Sequence, residues 1–473
     1  MASKNIAFNS IPASIRKPGK YAEFNTALAV RTLPGNLQRT LIVGQRLATG
    51  TVLANTVVDV FSDTDAAAYF GRGSMAHLMV RAALTANPYL SLQVIAMDDA
   101  GAGVLATNTV TLTGTATASG VLTVLVGDVP VQIAVASGDL AAAVAAALKA
   151  QFDNQPDLPV TATVAAAVVT MTAKHKGTLG NSLKVSSSST ATGITVVSTT
   201  PASGATDPVL ATVLAIVFAS GHNIIITPWN DIPNLTALRT HLDSTGGPLE
   251  KRGAVGIYAH TGTLAAATTL APSINSGRIT GILVPNAYEN SYEVAAAYGA
   301  VVAFEEDPAR PLNTLALTGI AAPPLANRLS RTEQENALYN GVTPTEVGPG
   351  DVVQIVRAIT TYTKDPQSIP DISLLDLTTI RTLDYARKAW VERISLRFPR
   401  SKKSARVKKQ VREELLDVAY KLQDLEILEN VEANEAGFII EDDLQDPNRL
   451  DCRIPADVVN GLHIVAMRID LLL

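Results

Sequence analysis

Cysteine is all but absent: Cys452 is the only one in 473 residues. That excludes an internal disulfide and any cysteine-rich metal site, and it suits folding in a reducing compartment. Aromatic residues are scarce at 5%, so Ala, Val and Leu carry most of an apolar content of 47%. No window approaches ~18 uninterrupted apolar residues, so no transmembrane helix and no membrane insertion are expected. The alanine-rich run at 140–150 is too short and is bounded by Asp139 and Lys149. The first 21 residues contain no continuous apolar stretch, which argues against a secretory signal. A net charge of −5 gives no reason to expect nucleic-acid binding by the chain as a whole.

The motifs of common chemistry are missing too. The six histidines (His77, His175, His222, His241, His260, His463) are scattered singly, with no H-E-x-x-H and no close Cys/His pair, so no metal is expected. There is no G-x-S-x-G elbow and no G-x-x-x-x-G-K-[ST] loop. Gly71-Arg-Gly-Ser74 lacks the third glycine of a dinucleotide fingerprint and does not directly follow a strand, so it reads as a helix-ending turn. The acidic runs 305–307 and 441–443 read as solvated loops. The sequence therefore predicts no catalytic site and no cofactor.

What is present has a clear order. Residues 1–26 read as an extended arm. Residues 27–100 read as half of an α/β unit, with strands at Arg39–Gly44 and Leu90–Ala96 and helices at 62–71 and 74–86. Residues 101–206 change character: Thr, Val, Ala, Gly and Ser dominate and Phe152 is the only aromatic. They are expected to form an inserted β-rich α+β domain, with strands at 109–115, 120–126, 129–135 and 160–172, a helix capped by Asp139, and loops at 186–189 and 199–204. Residues 207–325 return to helix–strand alternation, which implies a layered, largely parallel sheet sharing a core with the first half. The rest, 326–473, is read as a C-terminal α+β domain, with a capping box at Ser330–Glu333, a strand at 351–362 and a helix at 372–397. The fold class is α+β multidomain: a layered α/β core, an insertion, and a C-terminal domain with extended terminal arms.

Charge is segregated along that last domain. From Arg381 to Arg412 there are twelve Lys/Arg against two acids; from Glu413 to Asp451 there are thirteen acids against two bases. A helix crosses the boundary with a stripe of Val407, Val411, Leu415, Val418, Leu422, Leu425, Leu428 and Val431. Its basic end is N-terminal, which opposes the helix dipole at ~0.3–1 kcal/mol per charge. Local helix stability does not explain that; a partner surface or pairing between the two blocks does. Nucleic acid is poorly supported, since no aromatics interleave the basic run after Phe398.

The chain closes on a predicted strand. From residue 462, His463, Val465, Met467, Ile469 and Leu471 fall on one face; Leu462, Ile464, Ala466, Arg468 and Asp470 fall on the other. An apolar edge strand is a template for pairing, so this end should be paired within its own subunit or with another.

Three segments carry a resemblance. They are the closing stretch (DPNRLD, Pro455–Asn460 and the apolar end), the connector Asp307-Pro308-Ala309-Arg310-Pro311-Leu312, and the Pro18-Gly19-Lys20-Tyr21-Ala22-Glu23 piece. Together with the 378–385 helix segment they resemble contractile-tail sheath proteins, the Mu-like branch in particular. The resemblance covers the arm, the connector and most of 307–473. It implies a homo-oligomer of hexameric rings stacked helically around a tail tube protein, bounded by baseplate and terminator proteins, in a virion tail assembled in the host cytoplasm. It implies contraction that drives the tube through a host envelope. Terminal arms donated to neighbours would include Pro18, Gly19, Tyr21 and Glu23 at one end and Leu462, Ile464, Val465, Met467, Ile469 and Leu471 at the other. Because the basic run lies where the family's inner domain lies, Arg397, Arg400, Lys402, Lys403, Arg406, Lys408 and Lys409 become candidates to face the tube. The alternatives are a sheath from a non-viral injection machine and an α/β enzyme without a recognisable motif.

Overall fold

The computed structural model describes residues 14–22 and 33–472. Chain order begins β1 (Arg39–Gln45), β2 (Val57–Asp59), α1 (Asp63–Phe70), α2 (Met75–Ala86), β3 (Ser91–Met97). The insertion follows as β4 (Leu105–Gly114), β5 (Gly120–Val126), β6 (Val129–Val135), α3 (Ala141–Asp153), β7 (Val160–Ala165), β8 (Val168–Lys176), β9 (Val185–Ser189) and β10 (Ile194–Ser198). The core resumes with α4 (Leu210–Ile216), β11 (Ile224–Ile226), α5 (Ile232–Thr245), β12 (Val255–His260), α6 (Leu264–Ile274), β13 (Ile279–Leu283), α7 (Ser291–Phe304), α8 (Arg331–Tyr339), β14 (Thr343–Gly348) and β15 (Val352–Ile355). The last unit is α9 (Leu377–Arg397), α10 (Ala405–Asp424), β16 (Ile439–Asp442) and β17 (Leu450–Arg453).

One eight-stranded sheet runs β15-β14-β13-β12-β11-β1-β3-β2. Its six inner strands are parallel and its two edge strands antiparallel. Helices cover both faces of the inner strands, so Ile224–Ile226 and Ile279–Leu283 are buried at every residue. On one face α7 packs against α2. Ala and Gly fill α7, and it is buried nearly throughout, so it lies flat on the strands. α4 and α5 cover the other face around Trp229. The helix starts are set by local chemistry. Ser62, Ser74, Asp231 and Thr263 accept N-cap bonds, and Ser330 and Glu333 form a capping box.

The sheet corrects the expected boundary at 325/326. β14 and β15 lie beyond it yet pair with β13 and with each other, so the core reaches past residue 355. Pro344 hid β14, since proline disfavours a strand assignment; here it sits at the parallel β13–β14 junction. The strand expected over 351–362 shortens to Val352–Ile355.

The insertion contains a four-stranded sheet β10-β4-β8-β7 and a three-stranded sheet β6-β5-β9 around its own apolar cluster. The strand expected over 160–172 is a hairpin that turns at Ala166, φ +51°. The serines at 186–189, expected as a loop, pair with β5, where neighbouring strands override a weak propensity. Asp139 does not cap α3; its carboxylate accepts from Ala136 N at 2.7 Å.

The insertion is held to the core by polar contacts. His175 Nδ1 meets Asp99 at 2.8 Å, and its Nε2 accepts from Met75 N at 3.1 Å. Lys174 donates to Arg72 O and Pro156 O, and Arg72 pairs with Asp157. Gly73 (φ +70°) sits in this junction: a Cβ there would lie 2.5 Å from Leu158 O.

Beside this junction Glu289 is buried. Its Oε1 accepts from Ala321 N at 2.7 Å, and its Oε2 has no partner among the described residues. Burial pushes its pKa up to about 7, with Asp128 and Glu293 adding in the same direction. A folded pKa above the unfolded one means that this carboxyl's contribution is fully present below about pH 4.5 and is lost as pH rises through 7. Glu289→Gln keeps the Ala321 bond and removes the titration. Thermal melts from pH 5 to 8.5 should show the variant gaining on wild type as pH rises, by about 2–3 kcal/mol at the alkaline end. A constant offset would mean that Glu289 does not titrate in this window.

Candidate assembly surfaces

The C-terminal unit is an antiparallel helix pair, α9 against α10, closed by the β16–β17 hairpin. Its core gathers Tyr385, Trp390, Val411, Leu415, Val418, Leu422, Leu428, Val431 and Phe438. The apolar stripe read from the sequence extends past the helix: α10 stops at Asp424, Leu425 is exposed, and Leu428 and Val431 are buried from the loop that follows.

The conspicuous sequence motifs converge here. DPNR builds the hairpin turn: Asp443 Oδ1 accepts from Gln445 N and Asp446 N, and Asp446 Oδ1 from Asn448 N at 2.8 Å. The following Leu-Asp opens β17. The Pro455–Asn460 segment crosses the end of α10, where Asp457 O accepts from Glu429 N at 2.9 Å and Val459 N donates to Ile427 O at 3.3 Å. The chain then leaves at Gly461, which lies against Pro311 of the connector. In that connector Asp307 Oδ1 accepts from Ala309 N, Pro308 is buried, Arg310 lies 3.7 Å from Glu305, and Leu312 enters the core. Asn313 Nδ2 meets His463 Nδ1 at 2.9 Å, and His463 lies 3.4 Å from Asp376, which Arg357 grips at 2.8 Å through two bonds. The sequence offered no separate signal for this root, because its members come from distant parts of the chain, Asn313 and His463 being 150 residues apart.

Beyond the root the chain does not form the expected strand within its own subunit. Residues 462–472 have no backbone pairing among the described residues. Leu462, Ile464, Val465, Met467, Ile469 and Leu471 are all largely exposed, from 66% at Val465 to 92% at Ile469. In the same C-terminal unit, β16–β17 is a two-stranded sheet with no third strand among the described residues. The subunit thus presents an exposed apolar tail, unpaired among the described residues, and an open-edged sheet in one unit.

At the other end, Pro18 and Gly19 are exposed and Tyr21 OH donates to Lys17 O at 2.9 Å; Glu23 lies outside the described residues. Where the chain is described again, Leu33 packs on the C-terminal cluster and Pro34 O accepts from Tyr385 OH at 2.9 Å.

The basic run divides, which corrects its expected single face. Arg397 pairs with Glu414 at 3.2 Å, and Arg393 beside it with Glu414 and Asp417. Lys403 and Lys408 grip Asp442 at 3.0 and 3.1 Å, and they hold its carboxyl below the usual range. These three of the seven spend their charge inside the subunit, on the acidic block, so part of the segregation is internal pairing. Arg400, Lys402, Arg406 and Lys409 are exposed and have no ion pair among the described residues. Among those residues no group of three or more His, Cys, Asp or Glu is arranged to hold a metal, and no helix is long and apolar enough to cross a membrane.

Comparison with known proteins follows the same division. Residues 203–361 match the phage tail sheath protein central domain, and residues 370–471 match the phage tail sheath C-terminal domain. The chain is 33% identical to the Mu-like prophage FluMu tail sheath protein of Haemophilus influenzae, over 99% of this chain and all of that one. The fold is shared with the helical sheath of the anti-feeding prophage in its contracted state, at TM-score 0.54 and 11% identity, covering 96% of this chain and 99% of that one. It is also shared with a sheath tail protein from Desulfitobacterium hafniense, at TM-score 0.50 and 14% identity, over 90% and 94% of the two chains.

Proposed function

From the premise that this chain belongs to the phage tail sheath family, in its Mu-like branch, we propose that it is the repeating subunit of a contractile sheath. The family is a structural one. The subunits stack as hexameric rings in a helix around a tail tube, between a baseplate and a terminator. The sheath is assembled in the host cytoplasm and carried on the virion tail. It shortens when subunit interfaces repack from one discrete arrangement to another, and it drives the tube through a host envelope for genome ejection. No nucleotide is consumed.

The observation that carries this reading is the apolar segment 462–472, exposed and without backbone pairing among the described residues, in the same unit as an open two-stranded sheet. Such a segment satisfies its backbone by adding to a neighbour's sheet. Backbone pairing keeps subunits joined while the larger bodies rotate. Full-length identity of 33% to a Mu-like prophage tail sheath protein favours the phage reading over a non-viral injection machine. Arg400, Lys402, Arg406 and Lys409 are the part of the basic run free to face the tube.

Negative-stain microscopy of the purified chain tests the reading: it should show hollow striated tubes, and a monodisperse small particle at high concentration would contradict it. The insertion should be dispensable for that assembly. Its entry and exit run side by side, with Val104 N donating to Ala205 O at 2.9 Å, and its core is separate. Replacing 104–205 by a short Gly/Ser joint should leave tubes with a thinner wall. A folded deletion protein that fails to polymerise would show that the insertion makes an essential contact.

A further inference from the structure

The insertion meets the core across a cleft of about 490 Å3. The β5–β6 tip, Val126–Val129, and the 154–159 segment form one wall; α2, the start of α7 and the 319–320 loop form the other. The charged groups lining it are Arg72, Arg81, Asp128, Asp157, Glu289 and Glu293. Both cations are directed at one acid, since Asp157 lies 2.8 Å from Arg72 and 3.7 Å from Arg81. Asp128 of the insertion and Glu289 and Glu293 of the core have no ion pair among the described residues. The tip rests on the loop that carries Glu289. A Cβ at Gly127 would lie 3.2 Å from Tyr288 O. Gly127 N donates to Lys184 O at 2.8 Å, and Lys184 Nζ donates to Asn286 Oδ1 at 2.5 Å. Glu289 is 6% exposed; its Oε1 accepts from Ala321 N, and its Oε2 is sealed from solvent with no partner among the described residues. A sealed, unpartnered carboxylate near like charges is costly, whereas the neutral acid is much less so.

We propose that this seat is a proton-dependent latch: with Glu289 protonated the β5–β6 tip stays closed over the 285–290 loop, and with Glu289 ionised the tip lifts so that water reaches the carboxylate. The proton leaves to solvent and returns from it. Asp128, carried by the tip, adds a like charge that pushes tip and loop apart once Glu289 ionises. The hinge is the set of contacts that do not involve Glu289: His175 and Lys176 on Asp99, and Arg72 on Asp157. Burial pushes the closed Glu289 up to about 7 from an ordinary 4.5. Wetting returns it towards the ordinary value, so opening becomes easier as pH rises between those two values and levels off above the higher one. This inference is independent of the sheath reading, since it concerns the subunit alone.

The test is hydrogen exchange of the full-length chain from pH 5 to 8.5, read by mass spectrometry on peptides covering 120–135 and 284–293 and corrected for the intrinsic pH dependence of exchange. In wild type, protection of both peptides should fall by up to about tenfold per pH unit towards pH 7 and then level off. Glu289→Gln should stay protected throughout. Asp128→Asn removes the facing charge, so its protection should fall less in total and level off at lower pH. Asp128 is exposed, so this variant decides the matter if Glu289→Gln folds poorly. Protection of the wild-type tip that does not change with pH would overturn the proposal. So would a pH dependence that survives in Glu289→Gln, or one that Asp128→Asn leaves unchanged, because either would place the titrating contact elsewhere.

Discussion

Truncation after His463 is expected to give a folded, soluble subunit that no longer polymerises. The fold should survive because residues 464–472 make no backbone pairing among the described residues and bury almost nothing. The root stays in place, since His463 keeps its contact with Asn313 and Asp376. What is lost is seven large apolar side chains, Ile464, Val465, Met467, Ile469, Leu471, Leu472 and Leu473. Burying a single such side chain stabilises by ~1.5–3 kcal/mol, so even partial burial at a junction is worth on the order of 5 kcal/mol. That corresponds to a factor of about 10³–10⁴ in association. Strand geometry sharpens the expectation. Val465, Met467, Ile469 and Leu471 share a face, so Met467→Asp with Ile469→Asp should abolish tubes as truncation does. Arg468→Ala with Asp470→Ala, on the opposite face, should not. Light scattering and circular dichroism read assembly and folding separately. Tubes from the truncated protein would eliminate the terminal strand as the linking device.

Reversing Arg400, Lys402, Arg406 and Lys409 to Glu should leave the fold and tube-free polymers intact, yet prevent extended sheath from forming on tail tubes. All four are exposed and unpaired among the described residues, so the subunit loses no internal contact. An exposed charge pair contributes only ~0–1 kcal/mol and is screened by salt. Repeated around a ring, such contacts add up without any one locking the tube, and reversal turns each attraction into repulsion. The matched control is Lys403→Glu with Lys408→Glu. Those side chains hold Asp442 of the hairpin, and Lys403 also donates to Pro447 O at 2.8 Å. Their reversal should loosen the hairpin and reduce polymers of every kind. Extended tails counted by microscopy at low and moderate salt separate the two outcomes. If the first quadruple variant coats tubes as wild type does, the exposed charges face elsewhere.

The core was legible wherever one physical signal dominated. Buried parallel strands are rich in apolar residues, and β1 and β3 stand where the sequence indicates. Capping residues fixed the starts of α1, α2 and α8 for the same reason. Legibility failed where tertiary pairing overrode local preference. The serines of β9 are a strand only because β5 lies beside them, and Pro344 masked β14 because its neighbour is a distant parallel strand. The Ala165–Ala167 turn has no glycine, asparagine or proline to mark it. For the assembly surfaces, charge segregation was visible, but its division was not. Sequence shows that cations and acids are blocked apart. Only the return of the hairpin over the start of α10 shows which lysines Asp442 consumes. The terminal strand shows the reverse: its alternation was plain, and the missing partner is what points to a neighbour.

A helical reconstruction of the assembled protein, resolved well enough to trace residues 439–472, decides how the subunits are joined. Residues 464–472 should leave their own subunit and run as a strand hydrogen-bonded to the Ile439–Asp442 and Leu450–Arg453 hairpin of an adjacent copy. A tail folded back onto its own subunit, with neighbours joined only through side chains, would contradict this.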